Sequence, residues 1–262
     1  AGEILEETSS LIDGLPRTSR KQVGLSPHAL YSTTPDFCRK AAQFAAVNNL
    51  LLSTHFAESE SEYKMFAEAS GSMLDWLSGF RSMHDCGRLT PIQLANEYGL
   101  LNERMLAVHL NYLNAEDIET LVQTKAHVVH CPRSHDYFSH APFRYNELKE
   151  AGVNICLGTD SLASSRRDSQ SKLELNLWAE MRAFAKSFPG AAPLEIFRLV
   201  TVNAARALHK LDEIGVIKSG AYADVIAVNY SGKISEKLIA ETLLHDSCLR
   251  EVYISGVLAR SA

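Results

Sequence analysis

Short apolar or β-branched runs recur along the chain, each ending in a polar residue and each followed by a stretch with helical spacing. The runs lie at Val23–Ser26, Leu50–Thr54, Leu106–Leu110, His127–Cys131 and Asn154–Thr159, and they predict strands. Helices are predicted at Pro35–Asn48, Glu60–Ala69, Pro91–Tyr98, Ala115–Gln123 and Phe143–Ala151. The first has Thr34 as N-cap and Pro35 at its first position, where the missing proline N–H does no harm. Strand–helix alternation of this kind predicts an α/β fold with a parallel sheet and crossover helices. After the last run the pattern changes. Residues 168–188 predict one long helix, with Ser171 and Glu174 fitting a capping box. Ala192–Lys210 predicts a helix pair. A turn at Lys218-Ser219-Gly220 then leads to strands at Asp224–Asn229 and Glu251–Leu258, a small β element beside the main sheet.

The composition of the 262 residues, 46% hydrophobic and 22% charged, is that of a globular chain with ample apolar mass for a core. The net charge of −5 argues against non-specific binding to nucleic acid or anionic membranes. The one dense basic spot, Arg166-Arg167, reads as a solvated loop. No apolar run approaches the ~18 residues of a membrane span, and the opening AGEILEETSS lacks a basic-then-apolar leader pattern. The five cysteines (Cys38, Cys86, Cys131, Cys156, Cys248) are widely spaced without C-x-x-C, so free thiols in a reducing cytoplasm are expected. Nucleophile-elbow, dinucleotide and phosphate-loop glycine motifs are absent, as is the P-C-x-x-C of the zinc nucleobase deaminases.

The chemistry sits at the strand ends. His55 follows Leu-Leu-Leu-Ser-Thr, His109 follows Leu-Ala-Val, His130 follows His-Val-Val, and Asp160 follows Ile-Cys-Leu-Gly-Thr. In parallel α/β folds these ends form the active-site face. One such histidine fits a packing role as well as a chemical one; four consecutive strands ending in His or Asp do not. Imidazole and carboxylate suit a borderline divalent metal, zinc first and iron second. In His55-Phe56-Ala57-Glu58 the Glu stands where a general acid/base could serve such a site. The remaining histidines at 84, 140, 209 and 245 lie away from strand ends and are expected at the surface or in packing.

With these pieces in place the sequence resembles the amidohydrolase superfamily. In particular it is similar to the deaminase/chlorohydrolase branch that includes guanine, S-adenosylhomocysteine and aminofutalosine deaminases. The matching segments are Ser26-Pro27-His28-Ala29-Leu30-Tyr31, His55-Phe56-Ala57-Glu58, Val108-His109 and His130-Cys131-Pro132-Arg133-Ser134-His135. They continue with Leu157-Gly158-Thr159-Asp160-Ser161, Thr201-Val202-Asn203-Ala204-Ala205 and Gly220-Ala221-Tyr222-Ala223-Asp224. The resemblance implies the C-terminal portion of a (β/α)8 TIM-like barrel, strands four to eight, over residues 1–210, and the C-terminal part of a small β-sandwich domain over 211–262. It implies His55 and Asp160 as metal ligands, Glu58 as proton shuttle, His109 as the residue that orients the attacking hydroxide or polarises the reacting carbon, and Asp160 as base. His28 is implied to touch substrate. For His130, Arg133 and Ser134, substrate contact and support of the rim are equal alternatives. The implied reaction is deamination of an aminated heterocycle, purine or nucleoside-like, by metal-bound hydroxide with release of ammonia.

One family feature is missing. The ten histidines include no H-x-H pair, the pattern that supplies two further ligands from the first barrel strand. Residues 1–27 cannot hold three strand–helix units, since one βαβ unit takes ~30 residues. A shortened gene product and a cleaved N-terminal segment are the favoured sources of the difference, ahead of a second chain supplying the remainder. Two alternatives to the deaminase remain. One is a same-fold hydrolase removing halide or alkylamine from a triazine-like ring; the other is a metal-free, inactive binding or structural subunit. The expected partners are a small heterocyclic substrate and further copies of the chain, as a homo-oligomer.

Overall fold

The computed structural model describes residues 2–15, 18, 20–165, 174–230, 235, 240, 244 and 248–261. Their contacts divide the chain into two compact units, residues 1–129 with 140–154, and residues 130–139 with 155–262.

In the first unit, helix α1 (Gly2–Gly14) precedes strand β1 (Gly24–Leu25), α2 (Pro35–Val47) and β2 (Leu51–Phe56). Helices α3 (Glu60–Glu68), α4 (Ser72–Leu77) and α5 (Pro91–Glu97) follow, then β3 (Met105–His109), α6 (Ala115–Thr124) and β4 (His127–His130), whose last residue belongs to the second unit. The strands pair in parallel and in chain order, with Leu25 opposite Leu52, His55 opposite Val108, and Val108 opposite Val129. The helices start where the caps say. Thr34 Oγ1 accepts from the Phe37 N–H at 3.3 Å. Thr90 with Gln93 and Asn114 with Asp117 form full capping boxes at α5 and α6, and the Thr90 hydroxyl ties the two boxes together by donating to the Asp117 carboxylate. The core packs Leu52 and Phe56 of β2 and Met105 of β3 with Met65 and Phe66 of α3 and Ile92 of α5, all essentially inaccessible. Each such side chain contributes about 1.5–3 kcal/mol on burial.

The second unit carries α7 (Pro132–Phe138), β5 (Ile155–Leu157), a 3-10 turn (Leu162–Ser164), α9 (Leu177–Ser187), α10 (Pro193–Val200) and α11 (Val202–Ala207). The helix Tyr145–Glu150, α8 in chain order, belongs to the first unit. Strands β6 (Val225–Asn229), β7 (Cys248–Ile254) and β8 (Val257–Ser261) form an antiparallel three-stranded sheet.

All five predicted parallel-sheet strands are present, within two residues of their expected ends. Two other expectations change. The long helix starts at Leu177, because the Asn176 side chain accepts from the Trp178 N–H at 2.8 Å and caps it; Ser171 and Arg166-Arg167 lie outside the described residues. The last predicted strand is a hairpin. Ser255 and Gly256 adopt φ of 54° and 76°, the left-handed pair that a two-residue hairpin turn requires. Among the described residues no helix is long and apolar enough to cross a membrane. Cys38, Cys86, Cys131 and Cys156 are free thiols.

Candidate active site

In the first unit the segment after β1 and the C-terminal ends of β2 and β3 bring four candidate side chains together. His55 lies within β2, and its position is fixed from the main chain. The His28 carbonyl accepts both the His55 backbone N–H at 2.9 Å and its Nδ1–H at 2.7 Å. A ring that donates from Nδ1 carries its lone pair on Nε2, the arrangement of a metal-ligating histidine oriented by a carbonyl. The His28 ring, exposed, lies 5.0 Å from that of His55 and meets Ser32 Oγ through Nδ1 at 2.6 Å. Burial, and then the neighbouring His55, hold His28 below the usual imidazole range.

His109 is the last residue of β3 and is 2% exposed. Strand register pairs it with Phe56, so simple alternation would place it on the Phe56 face. Its φ of 74° is left-handed and ends the alternation. The ring stacks on His55 instead, at 5.2 Å and 27°. His109 Nε2 stands 3.7 Å from Glu58 Oε1. Left-handed φ recurs at Ala57 (48°) and Leu110 (54°). Such backbone is rare for these residues and collects at functional sites.

The Glu58 loop is held by Glu62, which sequence reasoning passed over. Glu62 is fully buried, and its two carboxylate oxygens accept from the Ala57 N–H at 3.0 Å and the Glu58 N–H at 2.8 Å. Burial pushes its carboxyl up to about 8, against the opposing pull of those hydrogen bonds. Asn111 was also passed over; its side-chain amide donates to the Glu58 carbonyl at 2.9 Å. The one available signal was Ser59-x-x-Glu62, a capping-box spacing ahead of α3. Tyr31 is pushed up to about 12 by burial, then by Glu58 and Glu62.

In the second unit Asp160 also has a left-handed φ, 52°. The buried Ser164 hydroxyl, another group without a sequence signal, donates to its Oδ2 at 2.9 Å. The His130 carbonyl accepts from the Gly158 N–H at 2.9 Å, and its ring packs edge-on to His135 and Phe184. Arg133 and Ser134 sit at the start of α7. Arg133 donates its backbone N–H to Glu180 Oε2 at 3.0 Å and its guanidinium to the Glu174 carbonyl at 2.9 Å. Ser134 is 1% exposed. Burial pushes the fully enclosed Glu180 up to about 7. Of the four histidines expected away from the site, His84 is exposed and His140 and His209 are half-buried. His245 lies outside the described residues.

The amidohydrolase family model matches residues 4–259. The chain belongs to the amidohydrolase family. This amidohydrolase chain is similar to a 5-methylthioadenosine/S-adenosylhomocysteine deaminase of Desulfitobacterium hafniense, 31% identical over 80% of the chain and 44% of the relative. It is also similar to the corresponding deaminase 1 of Archaeoglobus fulgidus, 30% identical over 88% of the chain and 52% of the relative. The chain thus spans about half the length of these curated relatives. Among solved structures, Helicobacter pylori aminofutalosine deaminase superimposes with a TM-score of 0.82 at 23% identity, over 99% of this chain and 64% of that one. An adenosine deaminase of Xanthomonas campestris with bound zinc gives 0.79 at 23%, over 98% and 56%. These likenesses show the fold, the α/β barrel class of the amidohydrolases, over the part that this chain covers.

Proposed function

We propose that this chain belongs to a metal-dependent deaminase that hydrolyses the C–N bond of an aminated heterocycle. The single observation that carries the reading is the strand-end cluster of His28, His55, His109 and Glu58, set beside left-handed backbone at Ala57, His109 and Leu110. Water adds to the ring carbon, the bond to the amino group breaks, ammonia leaves, and the ring keeps the oxygen; no electron is exchanged.

The donor chemistry fits a divalent cation. His55, with Nδ1 spent on the His28 carbonyl, presents Nε2, and Asp160 presents a carboxylate oriented by Ser164. His55 and Asp160 are therefore the proposed ligands, with zinc first and iron second. When bound, the cation would supply Lewis-acid polarisation and an acidified water at neutral pH. Asp160 takes the proton from the attacking water, as base. Glu58 carries a proton at its carboxylate to the departing amine, and His109, 3.7 Å from it, orients the nucleophile. His28, Arg133 and Ser134 are the proposed substrate-side residues.

The deaminase relatives make thioether nucleosides of adenosine the first substrates to test. The protein carrying this chain is screened with 5-methylthioadenosine, S-adenosylhomocysteine, guanine and aminotriazines, reading ammonia and metal content together. Ammonia from a purine substrate, abolished by chelator, is expected. Halide or alkylamine release from a triazine in its place would move the assignment to the triazine hydrolases, and no metal with chelator-insensitive folding would make the chain a non-catalytic subunit. The proposal further takes residues 1–210 as barrel and 211–262 as the small β domain, in a cytoplasmic homo-oligomer. Limited proteolysis and light scattering test the division and the assembly.

A further inference from the structure

The loop between β2 and α3 contains a buried acid with no place in the reaction just described. Glu62 is the third residue of α3, and Ser59 is the N-cap. In an ordinary capping box the acid at this position would accept from the N-cap N–H. Here it reaches past Ser59, and its two oxygens take the N–H groups of Ala57 and Glu58. From the other strand end, the Asn111 side-chain amide donates to the Glu58 carbonyl, and the Asn111 and Tyr112 N–H groups donate to the Ala57 carbonyl at 3.0 and 3.2 Å. The peptide before Glu58 Cα is thus held at its N–H by Glu62 and at its C=O by the Asn111 and Tyr112 N–H groups, and the peptide after it is held at its C=O by the Asn111 side chain. Ala57 is meanwhile held at a φ of 48° that alanine does not favour. Fixing both peptides fixes the direction of the Glu58 Cα–Cβ bond and leaves only its own rotamers free.

A carboxyl group suits this task better than an amide does, since with or without its proton both oxygens keep lone pairs. Two neighbouring N–H groups need two acceptors, and glutamine offers one acceptor and an NH2 that would face an N–H. Enclosing a carboxyl group completely is unfavourable unless its oxygens are used, and both are used here. We infer that Glu62 is a positioning residue that aims the Glu58 carboxylate by clamping its backbone, resting on the reading of Glu58 as proton shuttle.

The test is a double-mutant cycle on the protein carrying this chain, joined to amide exchange. Glu62→Gln in the wild-type background is expected to lower kcat at least about tenfold with KM changed less than about threefold. In a Glu58→Gln background the same change should lower the residual kcat by less than about twofold, since a residue acting through Glu58 has nothing left to aim. Equal losses in both backgrounds would mark a general structural role and overturn the inference. Asn111→Ala, acting on the carbonyl side, should repeat the pattern and serves if Glu62→Gln folds poorly. Independently of turnover, the Ala57 and Glu58 amides should exchange at least about tenfold faster in Glu62→Gln while the β2 amides Leu52 and Thr54 stay as they were. Unchanged exchange at residues 57 and 58 overturns the clamp. Faster exchange in a protein that releases no ammonia leaves the clamp standing and puts the failure on the deaminase reading.

Discussion

Glu62 carries its own prediction about folding. Its carboxyl lies at about 8 in the folded chain against an ordinary 4.5, with burial as the largest cause. The folded state therefore keeps the proton over a range in which the unfolded chain has already lost it. A raised carboxyl of this kind contributes stability that is complete below pH 4.5 and is lost as pH rises through about 8. Across that window the wild-type chain should lose about 1.4 kcal/mol per pH unit relative to a variant that cannot titrate. The sum is about 5 kcal/mol, comparable with the whole stability of a modest domain. Glu62→Gln is that variant. It gives up one backbone acceptor, a fixed penalty of about 1–3 kcal/mol that does not vary with pH. Urea unfolding of both proteins at pH 5, 6, 7 and 8 reads the difference, and all other titrating groups cancel between them. The wild type should lead at pH 5 and fall behind the variant by pH 8, because a loss of about 4 kcal/mol over those three pH units exceeds the fixed penalty. A constant gap would refute the reasoning. A gap widening with pH would show that the Ala57 and Glu58 N–H groups, which favour the ionised form, outweigh burial.

Other outcomes follow from the site and the fold. Glu58→Gln should keep its metal and lose about two to four orders of magnitude in kcat; a rate within about tenfold of wild type would remove the shuttle role. Asp160→Asn should lower both bound metal, read by atomic absorption, and turnover, and normal values of both would show that this strand end does not hold the cation. Gly215→Ala would set a Cβ 2.7 Å from the Thr201 carbonyl oxygen at a φ of 73°. It should cost about 1–3 kcal/mol in thermal unfolding, and an unchanged melting temperature would refute that contact.

The fold was readable wherever one local rule set an element. Alternating apolar runs located β1 to β5, and Thr34-Pro35 located the start of α2. Reading failed where two rules competed. The apolar pattern over Glu251–Leu258 runs through a turn, and the Ser255-Gly256 pair outweighed it. Helix α9 begins at Leu177 because Asn176 caps it, while helical spacing upstream of it suggested an earlier start. Helix α1 was not foreseen.

The site divides in another way. Sequence named its reactive side chains, because His, Glu and Asp at the ends of apolar runs are conspicuous against the composition around them. What aims those side chains was hidden. His55 is oriented by the carbonyl of residue 28, and Glu58 by two N–H groups bound to Glu62 and a carbonyl bound to Asn111. Every residue but proline offers the same main-chain groups, so a sequence cannot single out the ones in use. The left-handed backbone at Ala57, His109, Leu110 and Asp160 is hidden for a related reason, since sequence rules look for glycine there. At His109 and Asp160 the rule errs because the turn positions themselves carry the chemistry. Glycine at 109 or 160 would relieve the backbone and delete the functional side chain, so the strain has to be borne by neighbours such as Asn111 and Ser164. Substitutions at those neighbours should therefore reduce turnover more than their remoteness from the substrate suggests.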